Sequence, residues 1–312
     1  MYFIKHLLST AGLLDDHADT YSIACVSTSR PIYLVFNINS DYPAYVVRKL
    51  DDAHAFHSNH IHSELYSLVG NLVPEPVGIY EHASEKYDVQ RGVKGAPWFQ
   101  VKSKIRSEDE RKLLETRMWQ TLTNFHAAIR AKEKIENKTN KLKPHEELRK
   151  AFLEYQSTGE TENTELEKLV ELAINDLSQM PNCSSIPQHG DFCLNNLIID
   201  TGHITVIDFE DFAITAMPMY DHFTLALSLP SCGPSPFSAA QVITNRNLVN
   251  NAQIIDIPEN TIKWHFLHHL LLRLGPWSTG VKRKSYRIWL IKVLESFLFN
   301  QKYEKNDLTN EL

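Results

Sequence analysis

Gln188-His189-Gly190-Asp191-Phe192-Cys193-Leu194-Asn195-Asn196, followed by Ile204-Thr205-Val206-Ile207-Asp208-Phe209, is the stretch on which the reading of this chain turns. Its pattern is His-x-Asp-x-x-x-x-Asn, with a second Asp at the end of an apolar run. Phosphoryl transfer needs such a set. One carboxylate, Asp191, can accept the proton of an attacking hydroxyl, while the amide oxygen of Asn196 and the carboxylate of Asp208 can hold Mg²⁺ on nucleotide phosphates. Mg²⁺ takes a few hard oxygen ligands and keeps water and phosphate for the rest of its shell, so one Asp and one Asn suffice. Two apolar runs, 197–199 and 204–207, are separated by Asp200-Thr201-Gly202-His203 and read as a hairpin, which would return both ligands to one edge. A His-Gly-Asp tripeptide alone is an ordinary turn. The Asn at that offset, the hairpin and the Asp-ended strand give it chemical meaning.

The continuation adds Ile207-Asp208-Phe209-Glu210 and Pro218-Met219-Tyr220-Asp221. With these, the chain resembles the aminoglycoside phosphotransferase/choline kinase-like family, small-molecule kinases with a protein-kinase-like fold. The likeness is specific over residues 187–221 and covers most of the remainder as a layout. It implies an α+β, bilobal fold: a small antiparallel-sheet N-lobe covering the nucleotide over residues 1–93, and a larger, mainly helical C-lobe for catalysis and acceptor binding over residues 94–312. It also implies ATP or GTP as donor, Mg²⁺, and a small-molecule hydroxyl as acceptor. By the same resemblance His189 packs the loop rather than competing with Asp191 as base, and Asp221 holds the loop through backbone hydrogen bonds. Glu210 departs from the glycine of the protein-kinase Asp-Phe-Gly, and its role is open.

Toward the N-terminus, β-branched and aromatic runs at 21–26, 32–36 and 44–48, divided by turn residues, predict three antiparallel strands. The first turn, Ser27-Thr28-Ser29-Arg30, stands where a phosphate-covering loop belongs but has no glycine. Ser27 could meet phosphate oxygens there, or the turn is a plain hairpin. The third strand should supply the cation for the α/β-phosphates, Arg48 or Lys49, and the family resemblance favours Arg48. In the kinase layout a helix follows, and Glu64 is the residue placed to pair with that cation. Two further strands, at 77–80 and 87–91, lead into the breaker-rich Gly92-Val93-Lys94-Gly95-Ala96-Pro97. Adenine would be read by backbone groups from Gln90 to Val93. His54, His57, His60 and His62 fall on different faces of any single element, which argues against a convergent metal site.

Helices dominate beyond Ser107. Ser107-Glu108-Asp109-Glu110 forms a capping box, and Leu114, Met118, Leu122, Phe125 and Ile129 make one apolar stripe. The acidic run at 160–176 reads as a solvated helix face, with attraction of a cationic substrate as the sharper reading. Helices are expected over 239–250, 261–274 and 285–299. His265 and His269 share a face but lack the intervening Glu of a zinc-binding helix, so core or pocket lining is favoured. Pro276-Trp277 and Trp289 could line an acceptor pocket.

A formal net charge of −6 over 312 residues gives no general attraction to nucleic acid or anionic membrane. No apolar run reaches membrane-spanning length, the first residues make a poor signal peptide, and four scattered cysteines have neither metal nor disulfide spacing. Cytoplasm is the expected compartment. The reading is thus an ATP-dependent small-molecule kinase, with a sugar slightly preferred over an aminoglycoside or amino alcohol as acceptor. A catalytically degenerate kinase fold that binds a nucleotide or partner is the alternative, and a zinc hydrolase is a distant third.

Overall fold

The computed structural model describes residues 2–14, 21–27, 31–50, 55–135, 141–159, 163–180 and 183–310. By internal contacts the chain forms two compact units, one of residues 1–132 with 194–212, the other of 133–193 with 213–312.

The first unit opens with α1 (Tyr2–Thr10), β1 (Tyr21–Ser27), β2 (Ile32–Asn37) and β3 (Tyr45–Lys49). Next come α2 (Ala55–Val69), β4 (Pro76–His82) and β5 (Glu85–Arg91). The five strands form one antiparallel sheet in the order β1-β2-β3-β5-β4. Alternation decides its two faces. Val35, Tyr45, Val47, Tyr87 and Val89 point into a core closed by Ile4, Leu7 and Leu8 of α1. Arg48 and Asp88, one residue out of phase, are cross-strand partners on the other face. Gly92 ends the sheet where the chain passes the β2–β3 connection. A Cβ there would lie 1.7 Å from the Pro43 carbonyl oxygen, so only glycine fits.

The unit continues with β6 (Ala96–Pro97), α3 (Trp98–Val101) and α4 (Glu108–Ile135). Ser107 Oγ accepts from the Glu110 amide at 3.1 Å, while Glu110 reaches back to the Arg106 amide at 2.7 Å. The expected stripe Leu114, Met118, Leu122, Phe125 and Ile129 is buried. The unit then takes back the hairpin β9 (Leu197–Ile199) and β10 (Ile204–Val206), on which β6 lies as a third strand. Gly95 permits that approach, since its φ is +123° and a Cβ would meet Ile199 O at 2.7 Å.

The second unit contains β7 (Lys141–Leu142), α5 (Pro144–Gln156), α6 (Thr164–Ser178) and β8 (Cys183–Ser184), with β7 and β8 paired. It ends with α7 (Tyr220–Ser228), α8 (Pro236–Ala240), α9 (Arg246–Ile254), α10 (Ile262–Leu274) and α11 (Lys284–Asn310). The single helix expected over 239–250 is instead two, because the Asn245 side chain caps a new start by accepting from the Asn247 and Leu248 amides. α6 turns Leu166, Leu169, Val170, Ala173 and Leu177 inward and leaves Glu165 and Glu171 exposed, while Asp176 accepts the Trp264 indole N–H at 2.9 Å; Glu160 and Glu162 of the acidic run lie outside the described residues.

α10 is buried almost all round. His269 packs on the rings of Tyr220 and Phe223, at 4.8 and 5.7 Å between centroids. Burial lowers the pKa of His265 to about 4 and that of His268 to about 3. These rings therefore stay neutral in the folded chain, whereas the unfolded chain takes up protons as pH falls below about 6.5. Unfolding free energy should drop on the order of 2 kcal/mol per such histidine between pH 7 and pH 5, above the range in which most carboxylates titrate. Urea unfolding at the two pH values, on the wild type and on His268→Leu, checks this. The variant should show the shallower dependence, and equal slopes would contradict it.

Candidate functional site

The residues singled out in the sequence fall into two groups, one in each compact unit. In the second unit the loop 188–193 has no helix or strand of its own, so side chains must hold it. Asp221, fully buried at the start of α7, does so. Its two oxygens accept the His189 amide at 2.6 Å and the Gly190 amide at 3.0 Å. Met219, just before α7, is left-handed at φ 70° and turns the chain into the helix. Gln188 ties the loop to the next segment: its amide donates to Thr215 O at 3.2 Å and its carbonyl accepts from Ala213 at 2.8 Å. His189 is buried, and its Nδ1 accepts from the Asp191 amide at 3.2 Å, which fixes the neutral tautomer protonated on Nε2.

Asp191 emerges from this frame with its side chain 31 % exposed and bonded to Arg273 of α10, which is 2 % exposed. Arg273 Nη2 donates to Asp191 Oδ1 at 2.8 Å and to Gly190 O at 2.6 Å. No motif in the sequence points to Arg273. The available signal was a lone cation inside Leu270-Leu271-Leu272-Arg273-Leu274, a run with no polar face to carry it.

The same unit holds a cavity of about 560 Å³ lined by Glu147, Lys150 and Glu154 of α5, Thr215, His268 of α10 and Trp277. His268 Nδ1 is buried without a hydrogen-bond partner. The two tryptophans proposed as stacking surfaces are already engaged. Arg273 and Arg283 lie over the Trp277 ring at 4.3 and 3.7 Å from its centroid. Trp289 stacks on Tyr286 and donates its indole N–H to Pro234 O.

In the first unit the hairpin closes as expected. Val206 pairs with Leu197, and the Ile207 amide donates to Asn196 O at 2.9 Å, which brings the chain entering Asp208 back beside Asn196. Asp208 is left-handed at φ 67°, a conformation that Asp tolerates and most side chains avoid. Asn196 and Asp208 offer an amide oxygen and a carboxylate, hard donors of the kind Mg²⁺ prefers, so the donor chemistry fits that ion. Among the described residues no group of three or more His, Cys, Asp or Glu is gathered as metal ligands. Phe209 packs at a tilt against the buried ring of His62, 5.2 Å between centroids, which joins the hairpin exit to α2. His62 Nε2 bonds Pro74 O at 2.8 Å, and burial lowers the pKa of the ring.

Arg48 points to the same side of the sheet, but its ion pair differs from the expectation. Its Nη2 donates to the buried Asp88 at 3.1 Å and its Nη1 stands 3.9 Å from Glu210. Asn59 of α2 also donates to Asp88, at 3.2 Å. Glu64, expected as the partner, is exposed and faces His60 one turn away at 3.4 Å. Asp88, not Glu64, is thus the carboxylate hydrogen-bonded to Arg48, with Glu210 standing near it. Lys49, the other candidate cation, pairs with Glu85 at 2.9 Å. Gln90 lies on β5 opposite Val46. Ser27 ends β1 opposite Ile32, but its side chain, the turn at 28–30, and the side chains of His54 and His57 lie outside the described residues.

The Arg273–Asp191 pair has a consequence for stability. Truncating Asp191 to Ala would leave a buried guanidinium without its carboxylate, a loss of about 3–5 kcal/mol. Asp191→Asn keeps an oxygen for Arg273 and should cost less. Urea unfolding of both variants tests this, and an Asp191→Ala protein as stable as Asp191→Asn would contradict it.

The sequence model of the phosphotransferase enzyme family matches residues 35–246. No match is found among curated proteins. Among solved structures, the chain superimposes on a Ralstonia eutropha protein assigned as an aminoglycoside phosphotransferase, with TM-score 0.67 at 13 % identity, covering 95 % of this chain and 98 % of that one. It also resembles a macrolide 2′-phosphotransferase from Brachybacterium faecium, with TM-score 0.60 at 14 % identity over 93 % and 98 % of the two chains. A third likeness is to an aminoglycoside phosphotransferase in complex with GDP and kanamycin, with TM-score 0.55 at 15 % identity over 97 % and 99 %. The fold is therefore the α+β, protein-kinase-like one.

Proposed function

The chain belongs to the phosphotransferase enzyme family, and from that premise we propose that it moves the γ-phosphoryl group of ATP to a hydroxyl of a small molecule. The observation that carries the reading is the hydrogen bond returning Ile207 to Asn196, which puts the Asp208 carboxylate next in sequence to a residue bonded to Asn196. Asn196 and Asp208 would hold Mg²⁺, which when bound neutralises charge on the β- and γ-phosphates. Asp191 orients the acceptor hydroxyl and takes its proton as the new O–P bond forms and the bond to the β-phosphate oxygen breaks, releasing ADP. Arg48, steadied by Asp88, would face the α/β-phosphates, and Ser27 and backbone groups near Gln90 would complete the nucleotide contacts. Because Asp221 and Arg273 fix the loop in advance, little reorganisation remains at the moment of reaction.

The lobes assigned from sequence, 1–93 and 94–312, remain our proposal for the division of labour between nucleotide and acceptor. The cavity lined by α5 and α10 has the volume of a small-molecule site, and we assign the acceptor to it. A sugar, an aminoglycoside or an amino alcohol are the acceptor classes to test, with ATP and GTP as donors, since a structural relative carries GDP. Among the described residues no helix is long and apolar enough to cross a membrane. None of the four cysteines is in a disulfide, which suits a reducing, ATP-rich cytoplasm. One observation favours the second reading, a kinase fold that binds without transfer: the Arg48 guanidinium is already engaged by Asp88 and Glu210.

ADP release with Mg²⁺-ATP and panels of the three acceptor classes separates the readings. The wild type should turn over at least one acceptor, and Asp191→Asn should lower kcat by roughly 10³-fold with nucleotide affinity retained. Turnover undiminished in Asp191→Asn would end the assignment of the base.

A further inference from the structure

We propose that Arg273 is the positioning residue for the base: it pins one oxygen of Asp191 so that the carboxylate is presented to the acceptor in one orientation. The inference rests on the reading of Asp191 as base and goes beyond it, since nothing in the motif calls for a cation on α10.

Burying a guanidinium is a poor way to hold a helix. Apolar residues of similar volume stabilise such positions equally well or better, so a buried ion pair calls for another explanation. Here the geometry supplies one. A single nitrogen, Nη2, bonds both the Asp191 carboxylate and the carbonyl of Gly190, and lies 3.5 Å from Thr224 Oγ1. Side chain and backbone of the loop are thereby referred to one atom. Gly190 itself is at φ 86°, a conformation that leaves its carbonyl free to turn toward α10.

The guanidinium cannot swing away. Trp277 lies against it at 4.3 Å and Tyr220 at 5.5 Å from the ring centroids. The 3₁₀ turn Pro276–Ser278 that carries Trp277 is fastened in turn by Arg287, which bonds Leu274 O, Ser278 Oγ at 2.7 Å and Thr158 Oγ1 at 2.9 Å. Burial raises the pKa of Tyr220 and Tyr286, so both phenols beside the pair are neutral. Asp191 is the carboxylate that answers the charge of Arg273 among the described ion pairs. The planar fork and the stacking between rings are properties of Arg that Lys reproduces only in charge. Trp277 also lines the α5–α10 cavity, so the residue that braces Arg273 borders the space assigned to the acceptor.

A displacement of about 1 Å at a reacting group costs on the order of 10²-fold in rate. Arg273→Gln should therefore lower kcat on the order of 10²-fold, with KM for the acceptor and the Kd of Mg²⁺-ATP each within about threefold of wild type. Arg273→Lys, which keeps the buried charge and should fold even where the Gln variant does not, should recover part of kcat. The probes are Mg²⁺-ATP with glucose, kanamycin or choline as acceptor, with rates taken per folded protein from circular dichroism. Arg273→Gln or Arg273→Lys with wild-type kcat, or a loss shared equally by kcat, KM and Kd, would overturn the inference. Asp191→Asn run alongside tells the two failures apart. If it loses about 10³-fold in kcat while the Arg273 variants keep the wild-type kcat, only the positioning role fails. If its kcat is undiminished, or if wild type transfers to none of the three acceptors, the base reading fails and this inference with it.

Discussion

The carboxylate of Asp221 carries the loop that matters most. A segment with no secondary structure buries two amide protons, those of His189 and Gly190, and both end on the oxygens of one fully buried side chain. Charge-assisted hydrogen bonds of this kind are roughly twice as strong as neutral ones, and leaving such amides unpaired would cost about 1–3 kcal/mol each. The His189 ring, the Gln188 bridges to residues 213 and 215, and the Arg273 contacts all presuppose that the loop is already in this path. Asp191 inherits its place from them.

The first unit solves a comparable problem by different means. There, two short strands and one backbone bond from Ile207 to Asn196 set the hairpin, and the residue that follows accepts a left-handed backbone to carry its carboxylate. The turn is held to the rest of the unit twice. Phe209 packs on His62 of α2, and Glu210 approaches Arg48 on the sheet. A strained residue beside two anchored neighbours is a common sign of a position selected for what its side chain does rather than for backbone comfort.

Much of this was legible from residue order alone, for identifiable reasons. The strands of the five-stranded sheet announced themselves as β-branched and aromatic runs between turn residues, and the hairpin by its two apolar triplets. The apolar stripe of α4 and the cap at Ser107 are local patterns and read correctly. What escaped depended on distant partners. Asp88 sits beside Arg48 only once strands 40 residues apart are in register. Arg273 meets Asp191 across 82 residues. β6 is two residues long and contains a proline, so it has no periodicity to detect. The break between α8 and α9 turned on one Asn side chain choosing to cap rather than continue a helix. Glu64 was assigned from a layout, and layout does not reveal that its helix turns Asn59 and His62, not Glu64, toward the sheet's charged pair.

The central claim, a Mg²⁺-nucleotide site built on the hairpin, is tested most directly by isothermal titration of ATP with and without Mg²⁺ into the wild type and Asp208→Ala. Binding to the wild type should depend on Mg²⁺ and be lost or strongly weakened in the variant. Binding that ignores both the metal and the substitution, or no binding under any condition, would contradict it.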